Sequence, residues 1–172
     1  MEIVDVHTGD VAARRGDGVL QASAIGSCVV VAAFDRAAGV GGMAHVMLPG
    51  AAPHGRSVCR MKYAEDAVTE LARMMAELGA DATRTEVCLV GGGDIIGDGA
   101  GLGREIAGSV REAVRKRGMS VVAAEVGGTA RRSARLDVST GRVTCTVGDS
   151  TEWTLWVPDA DRGGCGTGTH RP

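Results

Sequence analysis

Apolar and polar residues follow each other along the first fifty positions in the short runs that are typical of β-strands. Segment 3–7 alternates apolar and polar residues, and segment 19–25 is a second short candidate strand. Segment 28–34 is apolar throughout and rich in valine, which predicts a strand buried on both faces. Turn residues at 35–39 connect it to segment 40–48, so these two strands are predicted to form a hairpin.

Two longer segments carry apolar residues at every third or fourth position, which is the spacing of an amphipathic helix. Segment 62–78 has this pattern and is followed by Gly79, and segment 102–116 has it and is followed by Gly118. A strand is predicted between the helices at 86–90. Four further short strands are predicted after the second helix, at 120–126, 133–139, 142–147 and 152–157.

This order of elements predicts the fold class and the domain boundary. Hairpin strands mixed with two helices indicate a layered α+β fold with mixed sheets, because a regular alternation of strand and helix is missing. No internal repeat and no second domain is evident, so a single domain is predicted over 1–157. Segment 158–172 is rich in glycine, threonine and charge without periodicity, and we expect a disordered tail there.

Composition and charge exclude several classes of partner. The 172 residues include 19 basic and 21 acidic ones, a net charge of -2, and only four aromatic residues of the Phe, Tyr and Trp types. Neither a basic excess nor a set of stacking side chains favours nucleic acid. No apolar run approaches the roughly 18 residues that a bilayer crossing needs, so no membrane insertion is expected.

The five cysteines indicate a reducing compartment. They are scattered, odd in number and without a paired CxxC spacing, which fits neither a disulfide framework nor a zinc site. The N-terminus is acidic and does not resemble a signal peptide. We therefore expect a cytoplasmic protein that needs no metal and no cofactor.

Cys28 is the first residue that suggests chemistry. It follows Gly26 and Ser27 at the entry to the buried 28–34 segment, where a thiol can face a cleft and backbone N–H groups can receive an oxyanion. Taken alone, a cysteine in such a run is more often a small buried apolar side chain.

His45 strengthens the case for a catalytic Cys28, because the hairpin can bring the two residues close together. A cysteine nucleophile needs a base, and histidine is the usual one, although a lone histidine in an apolar strand is more often a core residue with a polar partner. The imidazole also needs an orienting group. Ser23, Ser27 and a backbone carbonyl remain open as that group.

Glycine-rich segments follow two of the predicted strands. Segment 91–94 reads GGGD, but neither phosphate-binding motif fits the residues around it, so we expect its backbone to pack closely against the site. Gly127 and Gly128 precede Arg131 and Arg132. This second segment is either an anion site or a solvated turn, and the sequence leaves both open.

Two motifs together resemble the signature of the CheD family of chemoreceptor glutamine deamidases. They are IGSCVVV at 25–31 and VGGMAHVMLP at 40–49, and this pairing at this spacing is highly specific. The resemblance continues through KYA at 62–64 and the glycines at 91–93, and it covers about residues 1–157.

The resemblance implies a fold, a reaction and partners. It implies an α/β/β sandwich similar to toxin deamidases with papain-like Cys–His sites, with Cys28 as nucleophile and His45 as base. The turn at Gly26 and Ser27 is the candidate, from its own residues, for binding the oxyanion. The resemblance implies that specific glutamines in the cytoplasmic domain of a chemoreceptor become glutamates through a cysteine thioester, with release of ammonia. It also implies a CheC-type phosphatase as a partner.

Two departures from the family pattern keep alternatives open. The family usually has a threonine six residues before the cysteine, where this chain has Ala22, and Ser23 is the candidate third member beside it. Segment 102–105 reads LGRE, whereas the family often has Arg and Asn after the glycine. The alternatives are a non-catalytic module that binds and stimulates a CheC-type phosphatase, a cysteine hydrolase of receptor methyl esters, and a generic α+β domain with a buried cysteine.

Overall fold

The computed structural model describes residues 1–55, 59–97 and 99–159, and within them the chain forms ten strands and two α-helices. The strands before the first helix are β1 (Ile3–Asp5), β2 (Val11–Arg15), β3 (Val19–Ile25), β4 (Val29–Asp35) and β5 (Val40–Val46). The remaining elements are α1 (Ala64–Glu77), β6 (Glu86–Gly91), α2 (Leu102–Lys116), β7 (Ser120–Val126), β8 (Arg132–Asp137), β9 (Arg142–Val147) and β10 (Trp153–Trp156).

The strands form two five-stranded sheets. The central sheet has the order β2-β5-β4-β6-β7, and the outer sheet has the order β1-β3-β8-β9-β10. Both are mixed, because β6 pairs with β7 and β1 pairs with β3 in parallel, while the other neighbours are antiparallel. Helices α1 and α2 cover one face of the central sheet and the outer sheet covers the other. The predicted α/β/β layering with two main helices is therefore confirmed.

The central sheet is buried on both faces, and β4 shows why. Val29 and Val31 pack in the core beneath the helices, whereas Val30 and Phe34 pack in the core between the sheets. Every residue of β4 and β5 is buried, as the apolar run at 28–34 predicted. Burial of one such valine contributes about 1.5–3 kcal/mol, so both strands are held firmly from two sides.

The first fifteen residues depart from the sequence prediction. Strand β1 ends at Asp5, two residues earlier than predicted, because the chain turns: the Asp10 N–H donates to the His7 carbonyl over 2.8 Å. We call residues 6–10 the 6–10 loop. Strand β2 was not predicted at all, since alanine and arginine have low strand propensity. Its pairing along β5 overrides that propensity.

The remaining elements match their predicted positions closely. Helix α2 has the predicted bounds, and α1 begins at Ala64 rather than 62 because Arg60–Lys62 form a short 3-10 turn. In the part of the chain that the structure describes, neither helix has the length and hydropathy of a membrane crossing. The predicted tail at 158–172 falls, from residue 160 onward, outside the described residues.

Candidate active site

The turn that carries Cys28 is hydrogen-bonded to the glycine-rich loop after β6. The carbonyls of Gly26 and Cys28 accept hydrogen bonds from the N–H groups of Gly93, over 3.0 Å, and Gly92, over 2.7 Å. Gly91 has φ +122°, and a Cβ there would lie 2.2 Å from the Cys28 carbonyl oxygen. The loop therefore packs its backbone against the Cys28 turn, as predicted, and only glycine fits at this approach.

The β4–β5 hairpin brings His45 beside Cys28. Val30 lies opposite His45 in the antiparallel register, and Cys28 stands two residues before Val30. Cys28 comes directly before β4, and continuing this register places it diagonally across from His45 on the same face of the hairpin. Both face the outer sheet, where Cys28 borders the core between the sheets.

A backbone carbonyl orients the imidazole of His45. The His45 side chain is buried, and its Nδ1 lies 3.0 Å from the carbonyl oxygen of Val6. Because a carbonyl only accepts, Nδ1 must carry the proton of this bond, and in the neutral ring Nε2 is then an acceptor. The main chain of His45 also bonds to Gly9 and Asp10, so the 6–10 loop wraps the residue.

Burial keeps the His45 imidazole neutral at neutral pH. Burial is the largest influence and lowers its pKa below the ordinary 6.5, and the nearby charge of His7 acts in the same direction. The bond to the Val6 carbonyl and the carboxylate of Asp10 oppose this shift without reversing it. A neutral imidazole is the form that can accept a proton.

The Cys28 thiol is half-buried and has a polar neighbour in the 6–10 loop. Burial raises the pKa of the thiol above its ordinary value of 9.0, while a hydrogen bond from the Thr8 hydroxyl and one from the Cys28 N–H act in the opposite direction. The resting pair is therefore a neutral thiol beside a neutral imidazole. A proton has to move only when the sulfur attacks.

A cavity of about 300 Å³ opens beside His45. It is lined by part of the 6–10 loop and part of β3, namely Asp5, Val6, His7, Thr8, Gln21, Ala22, Ser23 and His45. Strand β3 has a bulge between Ala22 and Ile25, and Ser23 is exposed there. Ser23 thus shares the cavity with His45, but among the described residues the hydrogen bond to the imidazole comes from Val6.

Two adjacent backbone N–H groups near the thiol are candidates for binding an oxyanion. Those of Ser27 and Cys28 donate to no carbonyl of another described residue, although the neighbouring carbonyls of the same turn are bonded. Adjacent N–H groups of this kind form an anion-binding concavity. In the described residues no group of three His, Cys, Asp or Glu side chains is placed to hold a metal ion.

Sequence reasoning missed Val6 and Thr8. Residues 3–7 were interpreted as a strand, which hid the loop that brings both residues to the site. Gly9 and Asp10 are turn residues and were the available signal that the strand ends earlier.

The sequence leaves open whether Arg132 is an anion ligand. It is buried instead, and its guanidinium donates to the Glu125 carboxylate over 2.9 Å and to the Ala130 carbonyl over 3.0 Å. Its charge is therefore neutralised within the protein.

Comparison with known proteins gives a consistent result. A family model described as CheD chemotactic sensory transduction matches residues 47–147. The chain is 33% identical over 151 residues to a probable chemoreceptor glutamine deamidase CheD of Chlorobium luteolum, covering 87% of this chain and 75% of that protein. It is 34% identical over 147 residues to a probable chemoreceptor glutamine deamidase CheD of Pyrococcus horikoshii, covering 83% and 91%. It is 32% identical over 139 residues to the chemoreceptor glutamine deamidase CheD of Thermotoga maritima, covering 80% and 87%.

Proposed function

The chain belongs to the CheD family, and on that basis we propose that it deamidates glutamine side chains of chemoreceptors, converting them to glutamate. The relatives named for this reaction match it over four fifths of its length or more. The observation that carries the chemistry is the buried His45, held at Nδ1 by a carbonyl, as diagonal neighbour of Cys28. This arrangement supplies a thiol with an adjacent neutral base.

The first half of the proposed reaction forms a thioester. His45 Nε2 takes the thiol proton as the Cys28 sulfur bonds to the carbon of the glutamine amide, and the carbonyl electrons move to oxygen. The N–H groups of Ser27 and Cys28 stabilise that oxyanion. As it collapses, the C–N bond breaks, His45 returns the proton to the departing nitrogen, and ammonia leaves.

The second half hydrolyses the thioester. His45, neutral again, takes a proton from water as the water oxygen attacks the thioester carbon. The C–S bond then breaks, the thiol recovers its proton, and the side chain leaves as glutamate. The atoms balance with one water consumed and one ammonia released, and no step calls on a metal or a cofactor.

The test is peptide mass spectrometry of a receptor cytoplasmic domain incubated with the protein. A gain of about one dalton at discrete glutamines is expected, since oxygen replaces an amide NH group. The Cys28→Ala variant should give none, and Cys88→Ala, which removes a thiol from the core between the sheets, should retain the activity as a matched control. Loss of mass at methylated glutamates would instead assign methyl-ester hydrolysis, and no change with a cognate receptor would contradict the proposal.

The substrate is proposed to be a folded receptor rather than the free amino acid. Free glutamine offers the amide but none of the surface that orients it, and positioning supplies much of the rate of such reactions. We expect no ammonia from free glutamine under conditions that deamidate the receptor. Each turnover places one new negative charge on the receptor.

A CheC-type phosphatase is proposed as a second partner, on the family resemblance alone. Its binding should survive Cys28→Ala, because that substitution removes the nucleophile and leaves the fold intact. A pull-down with the two purified proteins separates this role from catalysis. The cytoplasmic location stays a prediction from the cysteine pattern.

A further inference from the structure

Ser27, the residue before the proposed nucleophile, lines a second and larger cavity. Its volume is about 570 Å³, and we call it the α2 cleft. Three segments form its walls: the glycine-rich loop after β6, the first three turns of α2, and the 126–128 turn after β7. The cleft therefore begins at the Cys28 turn and continues along one side of α2.

The mouth of the α2 cleft carries apolar side chains that the described chain leaves uncovered. Ile96 is 87% exposed and Leu102 is 41% exposed, and both line the cleft. The floor is largely glycine backbone at 92–93 and 127–128, which leaves room for the side chains of a partner. Exposed apolar residues beside a cleft are typical of a surface that binds another molecule.

Two further residues that line the cleft are arginines of α2. Arg104 and Arg111 are exposed, and neither forms an ion pair with a described acidic residue. Arg115 of the same helix, by contrast, is paired with Glu112 over 2.7 Å. The carboxylate of Asp94 also lines the cleft, but it accepts from the N–H groups of Gly97 and Gly99, over 2.9 and 3.3 Å.

The spacing of the two arginines suits a helical partner. They are seven positions apart, so they lie on one face of α2, about 10 Å apart along its axis. A helix lying along α2 would match them with carboxylates two turns apart, and its apolar side chains would contact Ile96 and Leu102.

We propose that the α2 cleft binds an acidic, amphipathic helix of the receptor next to the target glutamine. The inference rests on the proposed function for the identity of the partner. Carboxylates of that helix pair with Arg104 and Arg111, its apolar face covers Ile96 and Leu102, and the target glutamine lies at the Ser27 end of the cleft, next to the turn that carries Cys28. Arg104 and Arg111 are then residues that select the substrate and take no part in the chemistry.

The test is the double variant Arg104→Glu, Arg111→Glu with a receptor cytoplasmic fragment. Reversing two charges should raise KM about tenfold or more, because two pairs become two repulsions, while kcat changes by less than about twofold. Wild-type KM should also rise with salt, and that of the double variant should not. Arg117→Glu is the control, since this exposed arginine caps the C-terminal end of α2 and does not line the cleft.

Binding to the Cys28→Ala protein separates this inference from the proposed function. The dissociation constant of the fragment, measured by fluorescence anisotropy, should rise about tenfold when both arginines are reversed, whether or not the wild type turns over. Changing acidic residues of the receptor helix to lysine should restore affinity for the double variant alone. An unchanged dissociation constant would overturn the inference, and so would loss of affinity for a CheC-type phosphatase with receptor affinity intact.

Discussion

Val6 and Thr8 serve the two proposed catalytic side chains in different ways. Val6 acts through its carbonyl, which fixes the tautomer of His45, so this contact is independent of the side chain at position 6. Thr8 acts through its hydroxyl, which bonds to Cys28 and favours the thiolate. The family usually has a threonine at the position of Ala22. In this chain the 6–10 loop provides polar groups to the site. The contribution of the Thr8 hydroxyl to the reaction can be tested directly by substitution.

Replacing Thr8 by valine should slow the reaction without changing the fold. The substitution keeps the shape and removes a hydrogen bond to the developing thiolate, which is worth roughly 1.5 kcal/mol, so kcat should fall about tenfold. The pKa of Cys28 should rise further, and iodoacetamide should alkylate the thiol more slowly at a given pH. Thr8→Ser keeps the hydroxyl and should behave as the wild type. If Thr8→Val and the wild type were alkylated at equal rates at every pH, the Thr8 hydroxyl would have no such role.

The pH dependence of kcat/KM should reveal a neutral histidine. Only the neutral imidazole can take the thiol proton, and burial holds the His45 pKa below 6.5. Activity should therefore rise from acid pH with a midpoint below 6.5 and stay level through neutral pH, since the thiol pKa lies above 9.0. A midpoint above 7, measured with the same receptor fragment, would indicate a preformed thiolate–imidazolium pair instead.

The sequence proposes Cys28 and His45 as catalytic residues because both lie in motifs with a specific spacing. It could not identify the group that orients His45, because every residue has a carbonyl and only the path of the 6–10 loop selects that of Val6. Ser23 was named because it follows Ala22, and it does line the His45 cavity. Its role as a third member stays a prediction, which a Ser23→Ala variant with wild-type kcat would exclude.

Some secondary-structure elements follow from the local residue pattern, whereas others form only because they pair with a distant strand. Strand β4 and helix α2 were predicted closely, because continuous apolar runs and a three- to four-residue period reflect the packing of each element itself. Strand β2 was missed because VAARR has no such pattern and becomes a strand only by pairing with β5. That pairing also fixes the 6–10 loop against His45.

Gly91→Ala should disturb the site far more than an alanine at another glycine. A methyl group there would lie 2.2 Å from the Cys28 carbonyl oxygen, at a φ of +122° that alanine rarely adopts, so the Cys28 turn must shift or the fold weaken. We expect loss of several degrees in Tm and of nearly all activity. Gly108→Ala is the control for Tm, because it lies within α2 with open space around it.

The control variant Gly108→Ala should change Tm in the opposite direction from Gly91→Ala. Gly108 is an exposed position in the helix interior, where alanine is favoured over glycine by roughly 0.8 kcal/mol, so Tm should rise slightly. Thermal unfolding followed by circular dichroism measures both variants. Equal stability of Gly91→Ala and the wild type would contradict the close approach at Cys28.

The whole molecule places its proposed chemistry at one end of a sheet that is packed from both sides. The core beneath the helices and the core between the sheets share β4 and β5, so the two strands that carry Cys28 and His45 cannot shift independently. Loops complete the site on this rigid base: the 6–10 loop at the imidazole and the glycine-rich loop at the Cys28 turn. The sequence predicted the layers, but the meeting of these loops depends on pairings between distant segments.

The thioester of Cys28 is the central claim, and trapping it is the most direct measurement. Hydroxylamine added to the protein and a receptor cytoplasmic domain should divert the thioester, giving glutamyl hydroxamates about sixteen daltons heavier than glutamine. We predict them by peptide mass spectrometry at the same glutamines that otherwise become glutamate, with none from Cys28→Ala. Glutamate formation that continues without any hydroxamate, or hydroxamates made by Cys28→Ala, would contradict the account.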